Sequence, residues 1–440
     1  MIYKSQKNNF MKNKIVYVPL AVDFLHSGHF NILNVAQKYG DIVVGILTDK
    51  IISQYKDIPL LSFEQRYKII KSLKVVKTII KQDSLDYSII LNKIKPDFFV
   101  HGDDWKNGNQ KTIRANVIRT LKKNKGKLIE VPYTKNIPDE LIKEQIKKNF
   151  LSNSRVSLLK RMIEAKNIVR ILETHNPLCG LIVEKLKYLG KERLCSFDGM
   201  WSSSLTDSVS RAKPDNQSVD YSTRIYGVNS ILSLTTKPLL FDIDNGGQIN
   251  HLKFIINDLE KSGVSGIVME DKTGFKKNSL FDDQTSVKQD SIFNFCKKIE
   301  IAKKFTINKD FLIIARIESL ILGKSIKDAI KRAEAYSRAG ADAILIHSKQ
   351  KNPHEIFEFA KIFKESNFYK PMIAIPSTYS KTYEKDLIKN GFKVVIYANQ
   401  LLRASYKSMY EVAKKILVHQ RSFEVEKNIT SIKDIISLIS

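Results

Sequence analysis

The stretch Gly266-Ile267-Val268-Met269-Glu270-Asp271-Lys272 decides the fold. Four residues of apolar run end abruptly in three charges, as a strand buried on both faces does when it stops at a functional edge. The pattern recurs on either side. Leu181–Glu184, Leu194–Asp198 and Pro238–Asp244 precede it, and Phe311–Arg316, Asp342–Ser348, Pro371–Pro376 and Lys393–Asn399 follow. Helical periods separate most of them, for example Asn250–Lys261, Ser325–Ala339 and Pro353–Glu365, and Leu401–His419 is helical beyond the last. Eight strands in βα alternation predict a TIM-type (β/α)8 barrel over residues 155–440, entered through a polar connection and a helix near Val156.

Upstream, Lys14–Leu20, Asp41–Thr48, Val75–Lys81, Pro96–Gly102 and Lys127–Tyr133 read as five more strands, spaced by helical patterns such as Gln65–Leu73. They predict a Rossmann-like, doubly wound parallel sheet over residues 14–150. The whole chain is therefore α/β with two domains, as its 440 residues suggest. Residues 1–13 are polar and are expected to be a flexible N-terminus, with Met11 an alternative start.

The formal net charge is +27, but the lysines are spread along the chain without an arginine-rich block. That excludes nucleic-acid binding as the main expectation and leaves attraction of small anions. Cys179, Cys195 and Cys296 are far apart with no CxxC pair, which argues against disulfides or a structural zinc site and for a cytoplasmic protein. No apolar run approaches the ~20 residues that cross a bilayer, so no membrane insertion is expected.

In a barrel of this kind the chemistry sits at the C-terminal ends of the strands. The third strand delivers Asp242 and Asp244, the fourth Glu270 and Asp271, the fifth Arg316 and Glu318, and the sixth His347. The second leads into Asp198, Trp201 and Ser202–Ser204. Asp242 and Asp244 flank Ile243, so strand alternation would turn both to one side. With Glu270 they make an all-oxygen site for a partly hydrated Mg2+. Arg316 and His347 supply cationic donors opposite, suited to a phosphoryl group or carboxylate. An Asp-x-Asp can simply cap a helix; carboxylates on two adjacent strands with Arg and His on the next two favour the metal.

The run Glu270-Asp271-Lys272-Thr273-Gly274-Phe275-Lys276-Lys277-Asn278-Ser279 resembles the loop signature of the phosphoenolpyruvate mutases, a family of the isocitrate lyase superfamily. The resemblance spans most of residues 157–425 and includes Phe197–Trp201, Ile314–Glu318 and Ile346–Lys349. It implies that Asp242, Asp244 and Glu270 hold Mg2+ largely through water. It implies further that Trp201, Ser203, Ser204 and Leu205 line the substrate pocket, and that Arg316, His347 and Asn278 contact anionic groups. Lys276, Asn278 and Ser279 would ride on a gating loop, and Asp215 would be the essential aspartate. The implied reaction interconverts phosphoenolpyruvate and phosphonopyruvate, in a homo-oligomer (dimer or tetramer). Asn245 replaces the family's small hydroxyl residue after the Asp-x-Asp. Phosphonopyruvate hydrolase and carbon–carbon lyase remain open within the fold, although the lyases' loop cysteine is absent. Five exposed polar side chains on Lys272–Ser279 predict a loop that is mobile without ligand and, with it, closes to bring Asn278 over the substrate.

His26-Ser27-Gly28-His29 follows the first strand at a helix start, where amides and imidazoles meet phosphates. With Asp23, Lys56, Arg66 and Gly102-Asp103-Asp104-Trp105, it resembles the cytidylyltransferase family over residues 14–137. That implies CTP as co-substrate, with His26, His29, Lys56 and Arg66 on its phosphates and Asp104 and Trp105 at the substrate pocket. Thr134 opens the matching C-terminal motif, in which Pro138 stands for a serine and lacks its hydroxyl and amide donor. A domain that no longer turns over CTP, serving as binding module or nucleotide sensor, is the alternative.

Overall fold

The computed structural model describes residues 14–55, 57–106, 110–132, 151–189, 194–274, 276–279, 284 and 287–439. The chain forms two compact units, residues 1–150 with 164–166, and residues 151–163 with 167–440.

In the first unit, β1 (Ile15–Leu20), β2 (Asp41–Leu47), β3 (Val76–Gln82), β4 (Phe98–Gly102) and β5 (Lys127–Val131) make a parallel sheet in the order β3-β2-β1-β4-β5. Val16, Val18, Ile42, Val44 and Ile46 pack with Leu33, Ala36 and Ile70 from two helices. Tyr17 and Phe99 pack with Leu91, Trp105, Val117 and Leu121. The strand order reverses beside β1, and in doubly wound sheets ligands bind outside the strand ends at such a reversal.

In the second unit, β6 (Val169–Glu173), β9 (Gly199–Ser202), β10 (Leu239–Asp242), β11 (Gly266–Glu270), β14 (Leu312–Ile317), β15 (Ala343–Ile346), β16 (Met372–Ala374) and β17 (Phe392–Tyr397) close an eight-stranded parallel barrel. The two-stranded pieces β7 (Lys187–Leu189) with β8 (Leu194–Ser196), and β12 (Lys272–Thr273) with β13 (Lys288–Gln289), are antiparallel and stand apart from it. Six of the eight expected barrel strands are in place, and the first two differ. Leu181–Glu184 lies in the helix Pro177–Lys185. Asn176 caps that helix through Cys179 N at 2.9 Å and Pro177 occupies its first turn, a start signal that outweighs a short β-branched run. The first strand is instead Val169–Glu173, registered between Tyr397 of β17 and Trp201 of β9. Leu194–Ser196 belongs to the hairpin, and the second barrel strand begins at Gly199. Asp198 therefore lies at the start of its strand, not at the functional end; it is fixed there by Arg170 N donating to its Oδ2 at 2.9 Å.

The shell between barrel and helices carries the main core. Leu252, Ile256 and Leu259 recur at helical spacing and meet Phe295, Ile299 and Ala302 of the helix Ile292–Phe305. Phe295 also packs on Tyr336 with ring centres 4.6 Å apart. Phe295→Ala should therefore cost about 3–5 kcal/mol. Denaturant unfolding of the variant, followed on the barrel transition, checks this; a loss below ~1 kcal/mol would contradict the packing.

Candidate active site

The mouth of the barrel collects the side chains that its strands carry. Trp201, Ser203, Ser204, Leu205, Asp215, Asp242, Glu270, Lys276, Asn278, Ser279, Arg316 and His347 line one cavity of about 50 Å³. Ile375, Ser377, Ala398 and Asn399 complete its wall. Those four were not singled out from sequence because they carry no charge, although their position just beyond β16 and β17 marks them.

Asp242 and Asp244 are brought together by a turn, not by strand alternation. β10 ends at Asp242, and Asp244 has a left-handed φ of 52°. Gly246 and Gly247 follow with φ of 78° and 61°, so the chain curls back. Asp244 N donates to Asp242 Oδ1 at 3.0 Å, and Asp244 O accepts from Glu270 N at 2.7 Å. The buried Arg224 holds the turn from behind, donating to Asp242 O at 2.7 Å. Ser204 Oγ donates to Asp242 Oδ2 at 3.0 Å.

The described part of the loop is docked on the barrel mouth, the closed arrangement of the two that the sequence predicts. Lys272 and Ser279 are buried, and the Lys276 side chain is 7% exposed. Lys276 Nζ pairs with Asp244 and lies 2.9 Å from Asp215 Oδ1. Asn278 Nδ2 donates to Asp215 Oδ2 at 2.7 Å. Ser279 Oγ accepts from Arg316 Nη2 at 2.9 Å and donates to Glu318 Oε2 at 2.6 Å. The physical reason is charge: a buried carboxylate left without a cation is strongly unfavourable, and Lys276 supplies the cation for Asp215 and Asp244.

Glu318, wholly buried, anchors the far wall. It accepts from Arg316 Nε at 2.6 Å and lies 3.0 Å from Lys272 Nζ. Burial opposes its ionisation, but Arg316 and Lys272 hold it well below the usual carboxylate range. His347 is not the cationic donor expected. Burial and the neighbouring Arg316 lower its pKa, so the ring is neutral near pH 7. Arg316 Nη2 stands 3.1 Å from its Nδ1, and a guanidinium can only donate. Glu318 Oε1 lies 3.5 Å from the same nitrogen. Asp271 is turned to Arg332 and Tyr336, the latter donating at 2.7 Å, and has a structural part.

A hard cation fits the donor set: Asp242, Asp244 and Glu270 offer oxygen only, and they are buried. Among the described residues, the cluster whose ligand atoms lie mutually within 4.8 Å is elsewhere, at Glu173, His175 and Cys179. The three mouth carboxylates are thus spread more widely, as ligands that share an ion with water are.

In the first unit a cavity of about 340 Å³ opens at the strand-order reversal. Asp23, His26, His29, Asp104 and Trp105 line it, with Tyr55, Tyr87, His101 and Gln110 beside them. His26 is the N-cap of the helix Ser27–Gln37, its Nδ1 accepting from Gly28 N at 3.1 Å. The rings of His26 and His29 lie 3.8 Å apart. Asp23 accepts from Leu60 N and Leu61 N at 2.9 and 3.0 Å, so it also clasps a loop. Arg66 does not line the cavity; it is buried, donating to Leu47 O at 2.8 Å and Asp49 Oδ1 at 2.7 Å. Its expected place on phosphate is not one this packing offers. Lys56, Thr134 and Pro138 lie outside the described residues. His101, stacked on Trp105 at 3.9 Å, was missed, though it directly precedes the Gly102–Trp105 run.

A two-domain α/β chain with a phosphate-type helix end in one unit and an acid-lined barrel mouth in the other defines an enzyme class. The family model for phosphoenolpyruvate phosphomutase matches residues 159–417, and the cytidylyltransferase-like model matches residues 22–157. The chain belongs to the phosphoenolpyruvate phosphomutase family and carries an N-terminal cytidylyltransferase-like domain. It is 34% identical to a phosphoenolpyruvate phosphomutase of Tetrahymena pyriformis over 68% of this chain and 95% of that one. Among solved structures, a phosphoenolpyruvate phosphomutase from Streptomyces platensis subsp. rosaceus is similar at 32% identity with a TM-score of 0.60, covering 64% of this chain and 94% of its own. A phosphonopyruvate hydrolase in complex with oxalate and Mg2+ is similar at 33% identity and a TM-score of 0.57, covering 66% and 94%.

Burial raises the pKa of Glu270 from its ordinary 4.5 to about 7, despite the opposing pull of Arg316 and Lys272. The folded chain then holds a proton that the unfolded chain has lost between those two values. Its contribution to stability therefore falls as pH rises from about 4.5 to about 7 and is flat above. A cation at Glu270 must displace that proton, so Mg2+ should raise the melting temperature more at pH 8 than at pH 6. Equal stabilisation at both pH values would show that Glu270 is not in contact with the ion.

Proposed function

We propose that the barrel interconverts phosphoenolpyruvate and phosphonopyruvate with Mg2+, and that the N-terminal domain transfers CMP from CTP to a phosphonate. The observation that carries the first part is the docked loop, whose Lys276, Asn278 and Ser279 cover a cavity already lined with Arg316 and His347.

In the isomerisation the bond from phosphorus to the enol oxygen breaks and a bond from phosphorus to C3 forms. Between those events a phosphoryl group with little bonding to either side must be kept in place and away from water. Arg316, Asn278 and His347 are the polar groups offered to it and to the carboxylate. Trp201, Ser203, Ser204 and Leu205 shape the wall for the pyruvyl fragment. Lys276 ties the loop to Asp215 and Asp244 and so excludes water. Mg2+ shared by Asp242, Asp244 and Glu270 would supply Lewis-acid stabilisation of the enolate oxygen.

The similar hydrolase makes hydrolysis the second reading for the barrel. Phosphorus NMR of the protein with phosphonopyruvate and Mg2+ separates them. The mutase reading expects phosphoenolpyruvate to accumulate, because the enol phosphate is favoured over the C–P bond. Inorganic phosphate with pyruvate as main product would assign a hydrolase. Asp242→Ala should lower the barrel reaction by at least about 100-fold, in the range seen when electrostatic stabilisation is removed.

For the N-terminal domain, the carrying observation is the His26–His29 pair at a helix end on a cavity at the strand-order reversal. Adding CTP with 2-aminoethylphosphonate should release pyrophosphate and give a CMP-phosphonate. His29→Ala should reduce that release about 100-fold or more and leave the barrel reaction unchanged. Absence of pyrophosphate with every phosphonate tried would leave a nucleotide-binding module in place of a transferase.

A further inference from the structure

The first barrel strand delivers a cluster to the mouth of the barrel that the isomerisation does not use. Glu173 is the last residue of β6, His175 follows two residues on, and Cys179 sits in the first turn of the next helix. All three are buried, at 0%, 9% and 7% exposure. The geometry points to a second metal site, formed by Glu173, His175 and Cys179 and suited to a borderline divalent ion of the Zn2+ type. This does not rest on the proposed reaction.

The spacing of the donor atoms suits such an ion. One carboxylate oxygen, one imidazole nitrogen and Cys179 Sγ lie mutually within 4.8 Å. Sγ is 3.7 Å from His175 Nδ1 and 3.8 Å from Nε2. Bonds of about 2.0 Å to nitrogen and 2.3 Å to sulfur at a tetrahedral angle put N and S roughly 3.5 Å apart. The sulfur–nitrogen separation is therefore close to that of the site, and since Sγ is almost equidistant from the two ring nitrogens a turn of the imidazole is needed to aim one of them at the ion. Glu173 Oε1 is hydrogen-bonded to His175 and must open by a small side-chain rotation to admit an ion.

Donor type narrows the choice of ion. Sulfur, nitrogen and oxygen donors together select a borderline ion over Mg2+, which prefers oxygen and keeps its water. Binding would release two protons, one from the Cys179 thiol and the one shared by His175 and Glu173. The neutral cluster of imidazolium, carboxylate and thiol becomes a neutral cluster of divalent ion, thiolate, carboxylate and neutral imidazole. No net charge is added to a buried place. Three protein ligands leave a further position to water.

Neighbouring backbone groups orient the carboxylate. Glu173 Oε2 accepts from Leu401 N at 3.0 Å and Leu402 N at 3.2 Å, at the start of the helix Gln400–His419. That fixes one oxygen and leaves Oε1 to the ion, as outer hydrogen bonds orient metal carboxylates. Glu173 is also in register with Trp201, so an ion here would stiffen one wall of the cavity.

The test is a Co2+ titration of the untagged full-length protein, stripped with EDTA, in excess Mg2+. Thiolate ligation to Co2+ gives a near-ultraviolet sulfur-to-cobalt charge-transfer band that carboxylate and imidazole do not give. The proposal expects the band to saturate at one equivalent and to be unchanged in Asp242→Ala. It should vanish in Cys179→Ser, and His175→Gln should weaken the ion by at least about 10-fold, the least that losing even an outer-sphere partner costs. No band in the wild type overturns the proposal whether or not the variants fold. A band that persists in folded Cys179→Ser, with the thiol then being Cys195 or Cys296, overturns it too.

Discussion

Charge balance at one end of the barrel is the constraint on which the site depends. Asp242, Asp244, Glu270 and Glu318 are buried within a few residues of strand ends, and Asp215 faces them across the loop. Ionised carboxylates in such a place are unstable unless cations and hydrogen-bond donors meet them. Arg224 pairs with Asp207 and lies 3.9 Å from Asp244 Oδ2, Ser204 Oγ donates to Asp242, Arg316 and Lys272 serve Glu318, and Lys276 serves Asp215 and Asp244. Glu270 is the least well matched, and burial lifts its pKa to about 7. The described part of the loop is tied to the barrel by Lys276 to Asp215 and Asp244, Asn278 to Asp215, and Ser279 to Arg316 and Glu318. The same balance sets the carboxylates of Asp242 and Glu270 beside the guanidinium of Arg316 in one cavity.

That constraint also decides how much of the site is legible in sequence. A buried apolar strand that stops at Asp or Glu must bring that charge to a place where it can be solvated, paired or bound to an ion; β10 and β11 end on Asp242 and Glu270, and Glu318 directly follows β14. The first two barrel strands are obscured for local reasons. Leu-Ile-Val-Glu at residues 181–184 has a strand's composition but sits behind an Asn-Pro helix start. Leu194–Ser196 is a real strand, in a hairpin outside the barrel. Without β6 in place, Glu173 and His175 are hidden too, and their spacing to Cys179 becomes visible once that strand is known. Properties that depend on environment are not legible: the neutrality of His347 comes from Arg316 and burial, and the burial of Lys276 from carboxylates that lie far away in sequence. The left-handed turn at Asp244 shows a similar limit, since the Asp-x-Asp spacing leads to the right pair by the wrong geometry.

The N-terminal unit follows a different logic. Its cavity is larger, and its wall combines the aromatic Tyr55, Tyr87 and Trp105 with the two histidines. Helix amides there offer partial positive charge without a buried carboxylate to balance it. Arg66, a candidate phosphate ligand by its position in sequence, is occupied by Leu47 O and Asp49 instead.

The central claim is that the docked loop keeps a transferring phosphoryl group from water, so that the barrel isomerises its substrate instead of hydrolysing it. The most direct measurement is the partition of phosphonopyruvate in ¹⁸O-water, comparing wild type with Lys276→Ala. The account predicts phosphoenolpyruvate without labelled phosphate from the wild type, and a shift toward pyruvate and ¹⁸O-phosphate in the variant. Labelled phosphate as the main product of the wild type, or a partition that Lys276→Ala leaves unchanged, would contradict it.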